Sequence, residues 1–273
     1  MKILLAAALI LLVPVAAIAE ERITPQAAER LLRLMALDAS LESVSREVQR
    51  APEAIRGEVG AERFALAWDT AAEGRFDPEA MMDEIAADVA AALSPSQLAT
   101  LEDFYADGLG ARATALERAA EAPARDAVRE AEDGAALERL ATEEPARLQL
   151  IADAVEAMQI MPQGEALVLN MQIAFLRGMR VSGMIPLEMD DQTIVAMIQQ
   201  RLPGIREELY ATVLGGMAYA YQPLSDAELA AYLDFVTGPA GSALYLSVTR
   251  STQGLFEREM WDLGAAMVEA AEL

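Results

Sequence analysis

The chain lacks two residue types on which many catalytic and metal sites depend, because its 273 residues include no cysteine and no histidine. Without cysteine it forms no disulfide, even in a compartment that would permit one. Cys/His zinc sites, histidine-ligated haem and the Ser-His-Asp and Cys-His catalytic arrangements are excluded as well. We therefore expect the stability of the fold to come from helix packing alone.

Basic residues are scarce. The chain has 21 Lys+Arg against 44 Asp+Glu, which gives a formal net charge of −23, and its single lysine is Lys2. A chain of this charge repels phosphate backbones, so nucleic acid is excluded as a partner. The surplus of acid is explained either by solubility or by a basic partner.

Long hydrophobic runs are also lacking, except at the N-terminus. Lys2 is followed by an apolar run from Ile3 to Ile18, then by Ala19 and two glutamates. This order of a basic residue, an apolar run and an A-x-A site is typical of a secretory signal peptide. The run is shorter than the ~20 residues of a membrane span, although an uncleaved anchor is the alternative. We expect cleavage after Ala19, a periplasmic or secreted protein, and no membrane span after cleavage.

What the chain does have is a repeated stretch. Residues 93–110 recur at 224–241 with a constant offset of 131 and no gap. Ser94 and Ser225 are residue types that cap helix N-termini, and Gln97 and Glu228 stand where each can complete a capping box. Leucines flank both caps as a hydrophobic staple, and glycines close both stretches. Two such matched starts indicate an internal duplication.

These residues resemble a known family. The pattern Leu-Ser-x-x-Glu/Gln-Leu, followed by x-Phe-Tyr/Val and then Gly-Pro-Ala-Gly, is similar to the bacterial secreted domain-of-unknown-function family 2059. The resemblance covers the two repeated windows, although Gly108-Leu109 replaces the Gly/Ser-Pro of the motif in the first window. It implies an all-helical fold in tandem copies and an exported location, and it implies no catalytic residues.

Helix signals account for nearly all of the remaining chain. Apolar residues recur at helical spacing between proline and glycine punctuation, and no stretch alternates as a strand does. We predict an all-α fold of two related helical units packed together without a sheet, with the Phe104 and Phe235 helices at its centre. The predicted segments are a signal peptide at 1–19, helical repeat unit 1 at 20–120, a charged and exposed helical connector at 121–144, and helical repeat unit 2 at 145–273.

The predicted helices of the two units have the following limits. The first is capped by Thr24 and carries Met35 and Leu41 on one apolar face, and others are predicted at Ala61–Ala72, from Asp77, from Ser94 and at Ala111–Arg118. In the second unit we predict helices from Pro145, at Leu167–Arg180, Gln192–Leu202, Pro203–Ala220 and Ala240–Ala271. A loop is predicted at Gly183–Asp191, and Gly254 and Gly264 are possible breaks in the last helix.

Two residue types suggest chemistry. The chain has 14 methionines, and Met158-x-x-Met161 would place two sulfurs on one helical face, where thioethers favour Cu(I). The alternative is that methionine fills an irregular helical core.

Carboxylates stand close together at Asp190-Asp191, at Glu207-Glu208 and at Glu257 and Glu259. Paired acids are the machinery of glycoside cleavage, although a chain this acidic acquires such pairs by composition.

Tyrosine and methionine together suggest a ligand surface in the second unit. Tyr210, Met217, Tyr221, Tyr232 and Phe235 are the residues that we predict to form it, because tyrosine and methionine suit adaptable binding surfaces. The alternative for the same residues is a half-buried helix seam. The favoured function is a non-catalytic interaction or ligand-binding module without a cofactor, with an envelope protein or an apolar or peptide ligand as partner. The alternatives are an envelope hydrolase with a carboxylate pair and a methionine-based Cu(I) carrier.

The duplicated cap gives a first test. We predict that Ser94→Ala and Ser225→Ala each lower the free energy of unfolding by ~1 kcal/mol, the usual loss of an N-cap. Denaturant melts of the two variants measure this loss. A midpoint unchanged in either variant would mean that no helix begins at that serine.

Overall fold

The structure, a computed structural model, describes residues 22–55, 61–186 and 188–271, and the predicted signal peptide lies outside these ranges. The described residues form twelve α-helices and no strand, which confirms the all-α prediction. The helices are α1 (Pro25–Leu34), α2 (Leu37–Arg50), α3 (Ala61–Ala72), α4 (Pro78–Ala92), α5 (Pro95–Ala106), α6 (Gly108–Ala120), α7 (Arg129–Glu143), α8 (Pro145–Ala157), α9 (Ile160–Val181), α10 (Asp191–Ala220), α11 (Asp226–Thr237) and α12 (Pro239–Ala271). Short 3-10 turns occupy Ala51–Ile55 and Pro123–Arg125.

Helix starts follow the local capping signals closely. Both predicted capping boxes are present: the Gln97 side chain accepts from the Ser94 N–H at 2.8 Å, and the Glu228 side chain accepts from the Ser225 N–H at 2.8 Å. The side chain of Asp77 accepts from a backbone N–H of the first turn of α4 at 2.8 Å. Caps depend on residues within one turn of the chain, so they can be predicted from the local sequence alone.

The structure divides one predicted helix and joins two others. The first apolar face is split between α1 and α2, because Ala36 adopts a left-handed conformation with φ 59°. Conversely, α10 continues through Pro203, which we predicted to begin a new helix. Buried side chains fix α10 on both sides of the proline, with Ile198 before it and Leu214 after it. Packing at both ends outweighs the local cost of one missing hydrogen bond.

The segment 121–144 differs from the exposed connector that we predicted. It is helical over Arg129–Glu143, but α7 packs along α10 and also contacts α8. Ala136 and Leu140 are 1% and 2% exposed, so one face of α7 belongs to the core. Small residues such as Ala136 give little hydrophobic signal in sequence, although they let two helices approach closely.

Glycine permits a close crossing between α9 and α12. A Cβ on Gly178 would stand 2.8 Å from the backbone N of Ala265, and a Cβ on Gly264 would stand 3.0 Å from the backbone N of Met179. Both distances are far inside van der Waals contact, so only glycine fits at either position. Gly254 has open space around it, and α12 continues through Gly254 and Gly264 without a break.

The two repeated helices contact each other through their phenylalanines. Phe104 of α5 and Phe235 of α11, which are related by the 131-residue offset, stack with ring centroids 3.5 Å apart and an interplanar angle of 8°. Around this contact α5 packs against α12, while α6 packs against α11. No helix in residues 22–55, 61–186 and 188–271 is long and apolar enough to cross a membrane.

The α9–α12 crossing yields a paired prediction. Gly178→Ala should lower the free energy of unfolding by about 1–3 kcal/mol, because the added methyl overlaps the α12 backbone. The matched control, Gly254→Ala, should raise it by about 0.5–1 kcal/mol, because alanine loses less backbone entropy and meets nothing. Chemical denaturation of both variants measures the difference, and equal effects would contradict the close crossing.

Candidate functional site

A cavity of about 310 Å³ lies between the two halves of the chain. Its walls are mostly apolar and come from nine helices and the turns beside them, with exposed Ser40 among the residues that line it. Its lining residues are Leu32, Met35, Leu37, Ser40, Tyr105, Glu117, Ala154, Met158, Ile160, Met217, Tyr221, Tyr232, Leu233, Val236, Gly241, Leu244, Tyr245 and Val248. Its volume and composition are those of a small-molecule site, in which apolar walls surround a few polar groups.

The polar groups of the cavity are connected to one another. Glu117 of α6 accepts two hydrogen bonds on the same oxygen, Oε1, from the hydroxyl of Tyr221 at 2.5 Å and from that of Tyr232 at 2.7 Å. The rings of Tyr221 and Tyr232 lie 5.5 Å apart between centroids, at an angle of 59°. One carboxylate of the first half therefore connects two tyrosines of the second half.

A buried arginine holds the backbone beside these tyrosines. Arg147 of α8 is 8% exposed and donates to the carbonyl oxygens of Tyr221 at 2.7 Å and Leu224 at 2.8 Å. It also forms an ion pair with Asp226 in the first turn of α11. Because α10 ends and α11 begins here, this single side chain fixes the turn that carries Tyr221.

A second, polar cavity of about 370 Å³ adjoins the first, and the two share Glu117, Tyr221 and Met217 among their lining residues. Arg118, Arg125 and Arg129 line the second cavity. The guanidinium of Arg125 also lies 3.5 Å above the ring centroid of Tyr219, a cation–π contact. Glu117 thus stands where an apolar chamber meets a charged one.

Burial and charge together keep the cavity tyrosines neutral. Burial raises the pKa of Tyr221 well above its ordinary 10.0, and the negative charge of Glu117 raises it further. The pKa of Tyr232 is raised by burial first and then by Tyr221 and Glu117. Burial and Glu117 also raise the pKa of Tyr105. All three hydroxyls therefore remain hydrogen-bond donors across the physiological range.

The structure brings three of the five predicted surface residues to the cavity. Met217, Tyr221 and Tyr232 line it, and the two tyrosines are 6% and 5% exposed. Tyr210 is 51% exposed on α10 and does not line the cavity. Phe235 does not line it either, because its ring is engaged with Phe104.

The sequence analysis did not predict the residues that the first half of the chain contributes to the cavity wall. We predicted a surface formed by the second unit alone, yet Leu32, Met35, Tyr105 and Glu117 belong to residues 20–120. Glu117 lies in an alanine- and arginine-rich helix whose local pattern indicates an exposed face. No signal in sequence separates this acid from the many that are solvated.

The Asp190-Asp191 pair is engaged in a helix cap and in ion pairs. Asp190 caps α10, and its hydrogen bond from the Thr193 N–H lowers its pKa. The pKa of Asp191 is lowered by Arg180 and Arg177, with which it forms ion pairs at 2.8 and 3.0 Å. A general acid in glycoside cleavage needs a raised pKa instead.

The methionine pair is also not arranged as predicted. Met158 follows the last residue of α8 and Met161 lies in α9, and the left-handed Gln159 separates them with φ 54°. They therefore do not share one helical face, and only Met158 lines the cavity. In the described part of the chain, no group of three or more Asp or Glu side chains could hold a metal ion.

Comparisons of the chain with protein-family models, with curated proteins and with solved structures found no match. The resemblance to the secreted family described above therefore rests on the repeated residues alone and stays a prediction.

The tyrosine cluster generates a prediction about pH. Tyr105, Tyr221 and Tyr232 have raised pKa values in the folded state, so their contribution to stability is complete below the unfolded value of about 10 and is lost as pH rises above it. Spectrophotometric titration of phenolate should show at least three of the six tyrosines ionising later than in denaturant. Six tyrosines ionising together near 10 in the folded protein would contradict the buried cluster.

Proposed function

We propose that this protein is an exported, non-catalytic binding protein that encloses an apolar ligand or an apolar peptide side chain in the cavity at Glu117. The observation that carries the proposal is the cavity itself, with a continuous apolar wall around one hydrogen-bonded Tyr–Glu–Tyr group. Such a combination of apolar walls and few fixed polar groups is what small-molecule sites share. The exported location is supported by the signal-peptide pattern before Glu20.

Part of the same proposal is that two duplicated helical units enclose the site. The support is the repeated arrangement around α5 and α11, which begin with equivalent capping boxes and stack Phe104 on Phe235. A Cβ on Gly110 would stand 2.8 Å from the carbonyl carbon of Phe104, and one on Gly241 would stand 2.7 Å from the carbonyl oxygen of Phe235. The glycine six residues after each phenylalanine thus lies against the preceding helix, with Gly110 closest to Phe104 and Gly241 closest to Val236.

Duplication accounts for the position of the cavity. Where two similar units pack through the same surface, as in a two-fold dimer, side chains equivalent in the two units meet at the centre. Substitutions in one unit then make the two sides of the interface chemically different. Here Glu117 of the first unit meets Tyr221 and Tyr232 of the second.

Filling the cavity should weaken the binding of a neutral apolar probe. We predict that N-phenyl-1-naphthylamine binds the wild-type protein with one site, and that Val248→Phe weakens this binding by about tenfold or more, equivalent to roughly 1.4 kcal/mol. Val248 lines the cavity from α12, so the added ring occupies its space. Fluorescence titration measures the dissociation constant.

Two further variants complete the experiment. Ala154→Leu fills the cavity from α8, on a different wall, and should weaken binding as well. Val181→Phe is the matched control, because Val181 is 66% exposed and does not line the cavity. Circular-dichroism melts establish that each variant is folded. Equal probe affinity for wild type, Val248→Phe and Val181→Phe would overturn the proposed site.

A further inference from the structure

The carboxylate of Glu117 has one oxygen engaged and one free of protein donors. Oε1 accepts both tyrosine hydroxyls, whereas no residue in the described part of the chain donates a hydrogen bond to Oε2. Oε2 is also not among the buried polar atoms without a partner, so it is open to contact from the cavities.

The charge of Glu117 is not neutralised by the arginines around it. Each arginine of the adjoining polar cavity pairs with another acid: Arg118 with Asp38 at 2.7 Å, Arg125 with Asp133 at 2.7 Å, and Arg129 with Glu121 at 2.9 Å and Asp126 at 3.0 Å. Within the described residues Glu117 forms no ion pair. A partly buried carboxylate with hydroxyl donors but no counterion is an electrostatic site for a cation.

Aromatic rings in the cavity also favour a cation. Tyr105, Tyr221, Tyr232 and Tyr245 all line the apolar cavity. The face of an aromatic ring is negative and attracts alkylammonium groups, and rings combined with a carboxylate form the usual cage for them. Beyond the rings the wall is aliphatic, with residues such as Leu32 and Leu244, which suits an apolar body rather than a second charge.

We propose that the ligand class of this cavity is an amphipathic cation, with an ammonium head against Glu117 Oε2 and the tyrosine rings and an apolar body along the aliphatic wall. This inference rests on the proposed function, since it names the ligand chemistry of the same cavity. The cation supplies the counterion that the protein does not. An anionic ligand of the same shape meets the Glu117 charge directly and is rejected.

The test compares three ligands that share one apolar body and differ in the head: 1-naphthylmethylammonium, 1-naphthalenemethanol and 1-naphthoate. Each is titrated into the wild-type protein by calorimetry and, in competition, against bound N-phenyl-1-naphthylamine. We expect the cation to bind about tenfold or more tighter than the alcohol, with the anion weakest. An alcohol that binds as tightly as the cation, or an anion that binds tighter, overturns the inference.

Two variants separate a specific effect from the general attraction of a chain with net charge −23. Glu117→Gln keeps the size and an acceptor oxygen, and it should abolish the preference for the cation over the alcohol. Glu138→Gln removes the same charge from an exposed position on α7 and should keep the preference. Loss of the preference in both variants would assign it to net charge and overturn the inference.

The experiment also distinguishes failure of this inference from failure of the proposed function. If the neutral probe does not bind the wild type, the cavity is not a site and the proposed function fails. If the neutral probe binds and Val248→Phe blocks it, but the head group makes no difference, only the cationic ligand class is overturned. The wild-type comparison of head groups does not depend on whether Glu117→Gln folds.

Discussion

The stacking of Phe104 on Phe235 is the contact on which the rest of the structure depends. It joins the α5–α6 corner to the α11–α12 corner, and each corner is tight because a glycine lies directly against the phenylalanine backbone. Tyr105 follows Phe104 directly and Glu117 lies in the next helix, and both line the cavity.

Glu117 shows how such a junction acquires polar chemistry. A carboxylate at a partly apolar interface is costly unless donors surround it, and here Tyr221 and Tyr232 supply two. In return the acid holds two tyrosine hydroxyls in fixed positions, and burial keeps both protonated, since their pKa values are raised. Glu117 therefore has two fixed hydroxyl donors and, among the described residues, no ion pair, which is what the proposed cation site requires.

Close packing elsewhere keeps this junction in place. The long α12 crosses α9 at Gly178 and Gly264 and runs on past α3 and α4, so it spans both halves of the chain. Arg147 fixes the turn between α10 and α11 by donating hydrogen bonds to two of its backbone carbonyls. These contacts restrict the motion of the helices that carry Tyr221, Tyr232 and Val248, so the shape of the cavity is largely set before any ligand binds.

The sequence by itself determined the all-α class, most helix starts and three cavity residues, because caps, staples and helical periodicity act within a few residues of chain. We could select Met217, Tyr221 and Tyr232 from the sequence because aromatic and thioether residues are unusual in an acidic, alanine-rich chain. Only the tertiary structure decided that α10 continues through Pro203, that α7 is packed, and that Glu117 of one half meets tyrosines of the other. Those outcomes depend on contacts between residues far apart in sequence, where local pattern carries no information.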